Sequence, residues 1–131
     1  MEKKIAILSE LIEQSSEASK LIVSNAIAMD NGEIEPAQKY LKEATQLLTT
    51  MIKDTFIEVR DILTEVSNDE ESYDFSTLDM AKLLSKVAFY GASLINCYIN
   101  NFTGSVLANT EVKLMKCINA TRSLVSAILL N

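Results

Sequence analysis

The chain has no histidine and no tryptophan, and it has only one proline and three glycines among its 131 residues. Without imidazole it lacks the side chain that most often binds metal ions or acts as a general base. Gly32, Gly91 and Gly104 stand far apart, so no glycine-rich loop can cradle a phosphate. These absences exclude nucleotide sites of the P-loop or Rossmann type and favour a helical scaffold that needs no cofactor.

Cysteine is also scarce. Cys97 and Cys117 have no CxxC spacing and no histidine nearby, which excludes a zinc site and a disulfide framework. The apolar stretch at residues 5–8 is too short for an export signal. We therefore expect a cytoplasmic protein with two buried thiols.

No long hydrophobic run is present either. The most apolar window, residues 80–99, contains Lys82 and Lys86, and the apolar run at residues 124–130 is far shorter than the roughly 20 residues that a bilayer requires. The sequence therefore predicts no membrane span.

Charge is unevenly distributed along the chain. The formal net charge is −6, and a chain without a basic footprint is not expected to bind nucleic acid non-specifically. Residues 1–75 carry 16 acidic and 7 basic side chains, whereas residues 76–131 carry 2 acidic and 5 basic side chains. We expect the sparsely charged second half to bury most of its surface against the first half or against another chain.

What the chain does contain is helical periodicity along nearly all its length. Apolar residues recur every three to four positions in four segments, which predict helices over residues 2–29, 36–66, 77–102 and 105–130. We number these predicted helices 1 to 4. Residues 30–32 are of types that tolerate a left-handed backbone, and Pro36 suits the first turn of predicted helix 2. Together they predict a tight connection between predicted helices 1 and 2. The fold class is therefore all-α, as a single antiparallel up-down four-helix bundle.

The boundaries of predicted helix 3 come from capping patterns. Residues 67–75 are acidic and non-periodic, and are predicted to form a solvated loop. Ser76 and Asp79 have the spacing of a capping box at the start of predicted helix 3, and Thr103 with Gly104 is expected to end it. Gly91 lies in the apolar face of this helix, where we expect another backbone to approach closely.

Predicted helices 3 and 4 have more apolar surface than a one-sided bundle helix needs. The surplus predicts a partner surface, or a dimer interface across a two-fold axis, formed by these two helices. We expect the chain to be an adaptor, an immunity protein or inhibitor, or a chaperone that binds another protein, with acidic helices that steer basic partners. The candidate partner-binding residues are Val112, Met115, Leu124, Leu130, Leu83 and Tyr90.

Carboxylate spacing suggests a competing function. Glu13, Gln14 and Glu17 on predicted helix 1, with Glu58 and Asp61 on predicted helix 2, resemble the motifs of the all-α MazG-like nucleoside triphosphate pyrophosphohydrolases. The resemblance implies that these four carboxylates hold magnesium against a nucleotide. The helical spacing predicts instead that Glu13 and Glu17 face solvent. They lie about 125–165° away from the buried direction that Ile5, Leu8, Ile12 and Ile22 define.

A third alternative is a small apolar ligand inside the bundle. Tyr90 and Tyr98 lie on the largely apolar face of predicted helix 3, close in sequence to Cys97. These side chains are expected to belong to the core, with the tyrosine hydroxyls at its rim. A ligand held between the tyrosines and the cysteines is the remaining hypothesis.

Overall fold

The computed structural model describes residues 2–67 and 75–130, with side chains for residues 5–61, 79–127 and 129. These residues form the helices α1 (Glu2–Asp30), α2 (Ile34–Thr50), α3 (Phe56–Ser67), α4 (Phe75–Ile99) and α5 (Ser105–Leu130). A π turn at Met51–Thr55 joins α2 to α3 without a break in the helix. The described chain is thus all-helical, with four helical rods, as predicted. The predicted acidic loop lies mostly outside the described residues.

The first connection is a Schellman motif, the commonest way to end a helix on a left-handed residue. The Glu33 N–H donates to the Ala28 carbonyl at 2.9 Å, and the Gly32 N–H donates to the Met29 carbonyl at 3.1 Å. Gly32 has a φ of 71°, which glycine adopts without steric cost. The next helix begins at Ile34, two residues earlier than predicted, and Pro36 still lies in its first turn, where no N–H is required.

The connection between α4 and α5 is a second Schellman motif, which corrects the predicted helix end. The Phe102 N–H donates to the Cys97 carbonyl at 2.9 Å, and the left-handed residue is Asn101, with a φ of 57°. Asn tolerates this conformation better than other non-glycine residues. The helix therefore ends at Ile99 rather than at Phe102. It also begins at Phe75, so Ser76 lies inside the helix and not at its cap.

The π turn was not predicted, and it changes which side chains reach the core. The Phe56 N–H donates to the Met51 carbonyl, five residues back, so the turn holds one residue more than an α-helical turn. Met51, Thr55 and Phe56 are all buried, while Ile57 is 44% exposed. The extra residue thus brings Phe56 onto the core face of a helix that was expected to continue regularly.

Neighbouring rods contact one another in a ring. α1 packs against α2 and α5, and α4 packs against α2, α3 and α5. Gly91 lies beside Leu48 and Ile52 while Leu84 lines the same depression as Phe56, so the chain directions of α4 and the α2–α3 rod are opposite. α4 and α5 also pack against each other, and Cys97 Sγ lies 4.0 Å from Thr110 Oγ1 near the turn that joins them. The arrangement is consistent with the predicted four-helix bundle.

The core follows the predicted stripes in α2 and α5 but only in part in α1. On α2 and α5 the stripe residues are buried, among them Leu41, Leu48, Leu114, Ile118 and Val125. On α1 the predicted direction was partly wrong, because Ile5, Val23 and Ala26 are exposed. Of the predicted stripe, Leu8, Ser15, Ser19 and Ile22 are buried, and α1 also buries Ile7, Leu11, Ala18, Asn25 and Ala28.

Gly91 lies on the buried side of α4, facing the α2–α3 rod. A Cβ atom at this position would meet Ile52 Cδ1 at 3.3 Å and Leu48 Cδ2 at 3.7 Å. The close neighbours are therefore the ends of side chains, and not the backbone that the sequence led us to expect. Among the described helices, none combines the length and the apolar character needed to cross a bilayer.

Candidate functional site

The outward side of α4 carries unusually exposed apolar side chains. Five exposed residues lie within an arc of about 80° on the helical wheel, and we call them the outer face of α4. They are Ser85, Phe89, Ala92, Asn96 and Ile99. Ile99 and Phe89 are 67% and 66% exposed, the largest values among the large apolar side chains of the described part of the chain. Isolated exposed apolar residues are common, so what distinguishes the outer face of α4 is how much of these two side chains is exposed.

The ring of Phe89 does not lie free in space. It packs edge-on against the ring of Tyr90, with 5.3 Å between the ring centroids and 80° between the planes. Tyr90 is half-buried and packs against the core. The aromatic pair therefore holds Phe89 in a defined position, which lowers the entropy that a partner would have to remove on binding.

The predicted partner-binding residues occupy different environments. Val112 is 53% exposed on α5. Met115, Leu124 and Tyr90 are half-buried against the core, and Leu83 is also half-buried. The side chain of Leu130 lies outside the described residues. Among the described side chains, three large apolar residues of predicted helix 3 that were not named as partner-binding are exposed, namely Phe89, Ile99 and Phe102.

Charge separates the two halves of the molecule. In residues 5–61 all ten carboxylates and all five cations are exposed. In residues 79–127 the exposed charges are Asp79 and four lysines, namely Lys82, Lys86, Lys113 and Lys116. The surface of α4 and α5 is therefore cationic on a protein of net charge −6, which makes it complementary to an acidic partner.

A cleft of about 890 Å³ lies where the two Schellman connections meet, and we call it the turn-end cleft. Its volume is within the range of small-molecule sites. Most of its wall is apolar, and among the described residues that line it the charged ones are Lys39 and Lys42 of α2. The wall is formed by Asn25, Met29, Ile34, Gln38, Leu41, Cys97, Tyr98, Ile99, Asn101, Phe102, Thr103 and Leu107.

Asn25 is the buried polar residue of this cleft. It is 1% exposed, and its side-chain N–H₂ donates to the Ala37 carbonyl at 2.7 Å. Because a carbonyl accepts only from the nitrogen, this bond fixes which end of the amide is which. The other end, Oδ1, is buried and has no hydrogen-bond partner among the described residues. A buried acceptor without a donor is costly, so this oxygen is suited to a donor supplied by a ligand.

Glu111 is a charged residue that is buried although the sequence did not predict it. It is 7% exposed, and its Oε2 has no hydrogen-bond partner among the described residues. Burial raises the pKa of the Glu111 carboxyl from 4.5 to about 7, because the charged form loses hydration. At neutral pH it is therefore partly protonated, which reduces the cost of its burial.

Both residues had a signal in the sequence. Glu111 continues the core spacing from Leu107 to Leu114, and Asn25 lies three residues after the buried Ile22. A polar residue in register with a core stripe is either buried or interrupts the stripe. Neither residue was predicted to be buried, because Glu111 is acidic although in register with the stripe of α5, and Asn25 lies off the stripe predicted for α1.

The four carboxylates of the MazG-like hypothesis are all exposed, namely Glu13, Glu17, Glu58 and Asp61. Asp61 lies 3.8 Å from its neighbour Arg60, and both side chains are 70% exposed. Within residues 5–61, 79–127 and 129, no group of three or more His, Cys, Asp or Glu side chains is placed to hold a metal ion. The arrangement offers no feature that favours this function.

The cysteines and tyrosines of the ligand hypothesis are divided between two environments. Cys97 is buried as expected and Cys117 is half-buried, and both thiols are free. Cys97 and Tyr98 line the turn-end cleft, whereas Tyr90 and Cys117 do not.

Comparison with protein families, with characterised proteins and with solved structures gives no match to this chain.

Proposed function

We propose that this chain is a non-enzymatic helical module that binds an acidic partner protein through the outer face of α4. The observation that supports this most directly is the pair Phe89 and Ile99, each about two-thirds exposed on one side of one helix. Aromatic and aliphatic side chains that become fully desolvated supply most of the affinity of protein interfaces. The sequence suggested a partner surface on both predicted helices 3 and 4, and we now propose that it is the outer face of α4 alone.

The surrounding charges determine the kind of partner. Lys82 and Lys86 lie on the same helix as Phe89, and Lys113 and Lys116 lie on α5. An apolar face with lysines around it matches a partner surface with apolar residues surrounded by carboxylates, and such pairing accelerates association at low salt. The sequence had suggested basic partners for the acidic first half, whereas this surface favours acidic ones.

A second copy of the chain is the alternative occupant, since a dimer was expected. The carboxylates of residues 5–61 are complementary to the lysines of α4 and α5. A two-fold dimer buries the same patch on both copies, so a dimer centred on the outer face of α4 would set that face and its lysines against themselves, with like charges opposed. We therefore propose that a different protein occupies the outer face of α4, in the cytoplasm.

Differential capture tests this proposal. Tagged wild type, the double variant Phe89→Ser/Ile99→Ser and the control Val23→Ser/Ile27→Ser are used as baits in an extract of the source cells. Val23 and Ile27 are 44% and 56% exposed on α1, so the control removes comparable apolar surface elsewhere. We expect an acidic protein to be retained by wild type and control and lost from the double variant. If the same proteins bind all three baits, the outer face of α4 is not the binding surface.

Light scattering of the same three proteins addresses self-association. The proposal expects wild type and variants to have equal mass across a concentration series. If wild type is a dimer and the α4 variant is a monomer, the outer face of α4 binds a second copy of the chain and the proposal of a different partner protein is wrong.

A further inference from the structure

The turn-end cleft holds two features that the proposed partner surface does not use. One is the buried Oδ1 of Asn25, which lacks a donor among the described residues. The other is the pair Lys39 and Lys42, which are exposed and are the charged side chains of the lining in the part of the chain that the structure describes. The cleft thus has a buried hydrogen-bond acceptor and two exposed cations, with an apolar wall between them. A ligand that fits it needs polar groups complementary to both.

From these features we infer that the turn-end cleft binds a small amphipathic anion with an apolar body, a hydrogen-bond donor and an anionic head group. The apolar body lies against Leu41, Tyr98 and Leu107. The donor, an amide N–H or a hydroxyl, meets Asn25 Oδ1. The anionic head remains near Lys39 and Lys42, where water also reaches it.

The geometry of Asn25 decides the donor requirement. Its N–H₂ group is held by the Ala37 carbonyl at 2.7 Å, so the amide cannot rotate to present a nitrogen to the cleft without losing that bond. A ligand atom that meets Oδ1 must therefore donate. A ligand without a donor would leave this acceptor buried and unpaired, at a cost that corresponds to about tenfold in affinity.

The charge of the cleft decides the head group. The two lysine side chains are exposed and lie three positions apart on α2, and no carboxylate is found among the described residues that line the cleft. Because the cations are exposed to solvent, their effect on affinity is modest and falls with salt. We expect a carboxylate ligand to bind a fewfold tighter than its neutral ester.

Three N-acyl compounds test the inference on the purified full chain. N-decanoylglycine carries the apolar tail, an N–H donor and a carboxylate. N-decanoylsarcosine differs by an N-methyl group that removes the donor, and the methyl ester of N-decanoylglycine removes the charge. Isothermal titration calorimetry below the micelle concentration gives the affinities, and amide chemical shifts identify the residues affected.

We expect N-decanoylglycine to bind wild type about tenfold tighter than the N-methyl compound, with shifts at the cleft residues. Asn25→Leu should reduce this ratio to near one. Lys39→Gln/Lys42→Gln should abolish the preference for the carboxylate over the ester, whereas the control Lys20→Gln/Lys53→Gln should retain it, because neither residue lines the cleft.

The inference is overturned if none of the three compounds shifts the cleft residues, or if wild type binds the donor and the N-methyl compound equally. The second outcome is readable on wild type alone, so an Asn25 variant that fails to fold does not obscure it. This site does not rest on the proposed protein partner. Phe89 does not line the cleft, so Phe89→Ser should leave ligand binding unchanged, and the two proposals can fail separately.

Discussion

Thr55 donates its hydroxyl hydrogen to Oε1 of Gln14 at 2.7 Å and thereby joins the π turn to α1. Thr55 is 4% exposed, so this bond lies at the edge of the core and is shielded from water. It is a side-chain hydrogen bond between residues 41 positions apart. The bond places the irregular turn against a neighbouring helix.

Thr55→Val tests the contribution of this bond. Valine keeps the branched shape but leaves Gln14 Oε1 without its donor, so we expect the free energy of unfolding to fall by about 1 kcal/mol. Denaturant titration measures the change. The control is Thr50→Val on the exposed side of the same rod, where we expect a change within about 0.5 kcal/mol. Equal losses in both variants would assign the effect to the hydroxyl in general and not to the contact with α1.

Gly91 provides a test of packing between α4 and the α2–α3 rod. In Gly91→Ala, higher helix propensity is worth about 0.5–1 kcal/mol, and Ile52 Cδ1, at 3.3 Å from the added Cβ, is the end of a half-buried side chain that can shift. We expect unchanged or slightly higher stability by thermal and chemical unfolding. Gly91→Leu should lose about 1–3 kcal/mol, because the larger side chain separates the rods. Equal stability of the alanine and leucine variants would contradict this packing.

Asn101 tests the end of α4. Its φ of 57° is a left-handed conformation that alanine tolerates poorly. We expect Asn101→Ala to destabilise the protein by about 1 kcal/mol and Asn101→Gly to leave stability equal or higher. Urea denaturation of the two variants compares them directly. A helix that continued to Phe102, as the sequence suggested, would give the opposite order, since alanine favours helix and glycine does not.

Glu111 makes stability depend on pH. Its pKa is raised in the folded protein to about 7 from 4.5, so the folded state binds more protons than the unfolded state between these values. The free energy of unfolding therefore falls as pH rises from about 4.5 to about 7, and the loss is complete above pH 7. Allowing for the part of the carboxyl that water reaches, we expect a loss of about 1–2 kcal/mol.

Glu111→Gln checks this effect by removing the titration. We expect the variant to be more stable than wild type at pH 8 and closer to it at pH 5, measured by denaturant unfolding at both values. Glu43→Gln, an exposed substitution on α2, serves as the control for the change in net charge. A difference between wild type and Glu111→Gln that is the same at both pH values would show that the carboxyl does not titrate in this range.

The sequence predicted the fold class and the core of α5 because apolar residues on that helix recur on one stripe. It was partly wrong on α1, where apolar residues occur on two sides. Leu8, Ser15, Ser19 and Ile22 are buried on the predicted stripe, whereas Ile5 and Val23 are exposed and the small Ala18 is buried instead. Small side chains let helices approach closely. Which side of α1 is buried depends on where the neighbouring rods lie.

The π turn and the turn-end cleft could not be read from the sequence. In the turn Thr55 bonds to Gln14, a residue distant along the chain. The cleft is formed by four chain segments that meet only after folding, and its acceptor, Asn25, is unpaired only in that context. Local periodicity predicts which face of a helix is buried, but not which residues of other helices pack against that face.

The most direct test of the account is the affinity of the purified captured partner for three forms of the chain. Phe89→Ser/Ile99→Ser should bind at least about 100-fold more weakly than wild type, as expected when central apolar contacts are lost. Val23→Ser/Ile27→Ser should bind within about threefold of wild type. If the α1 variant loses affinity and the α4 variant retains it, the outer face of α4 is not the surface through which this protein acts.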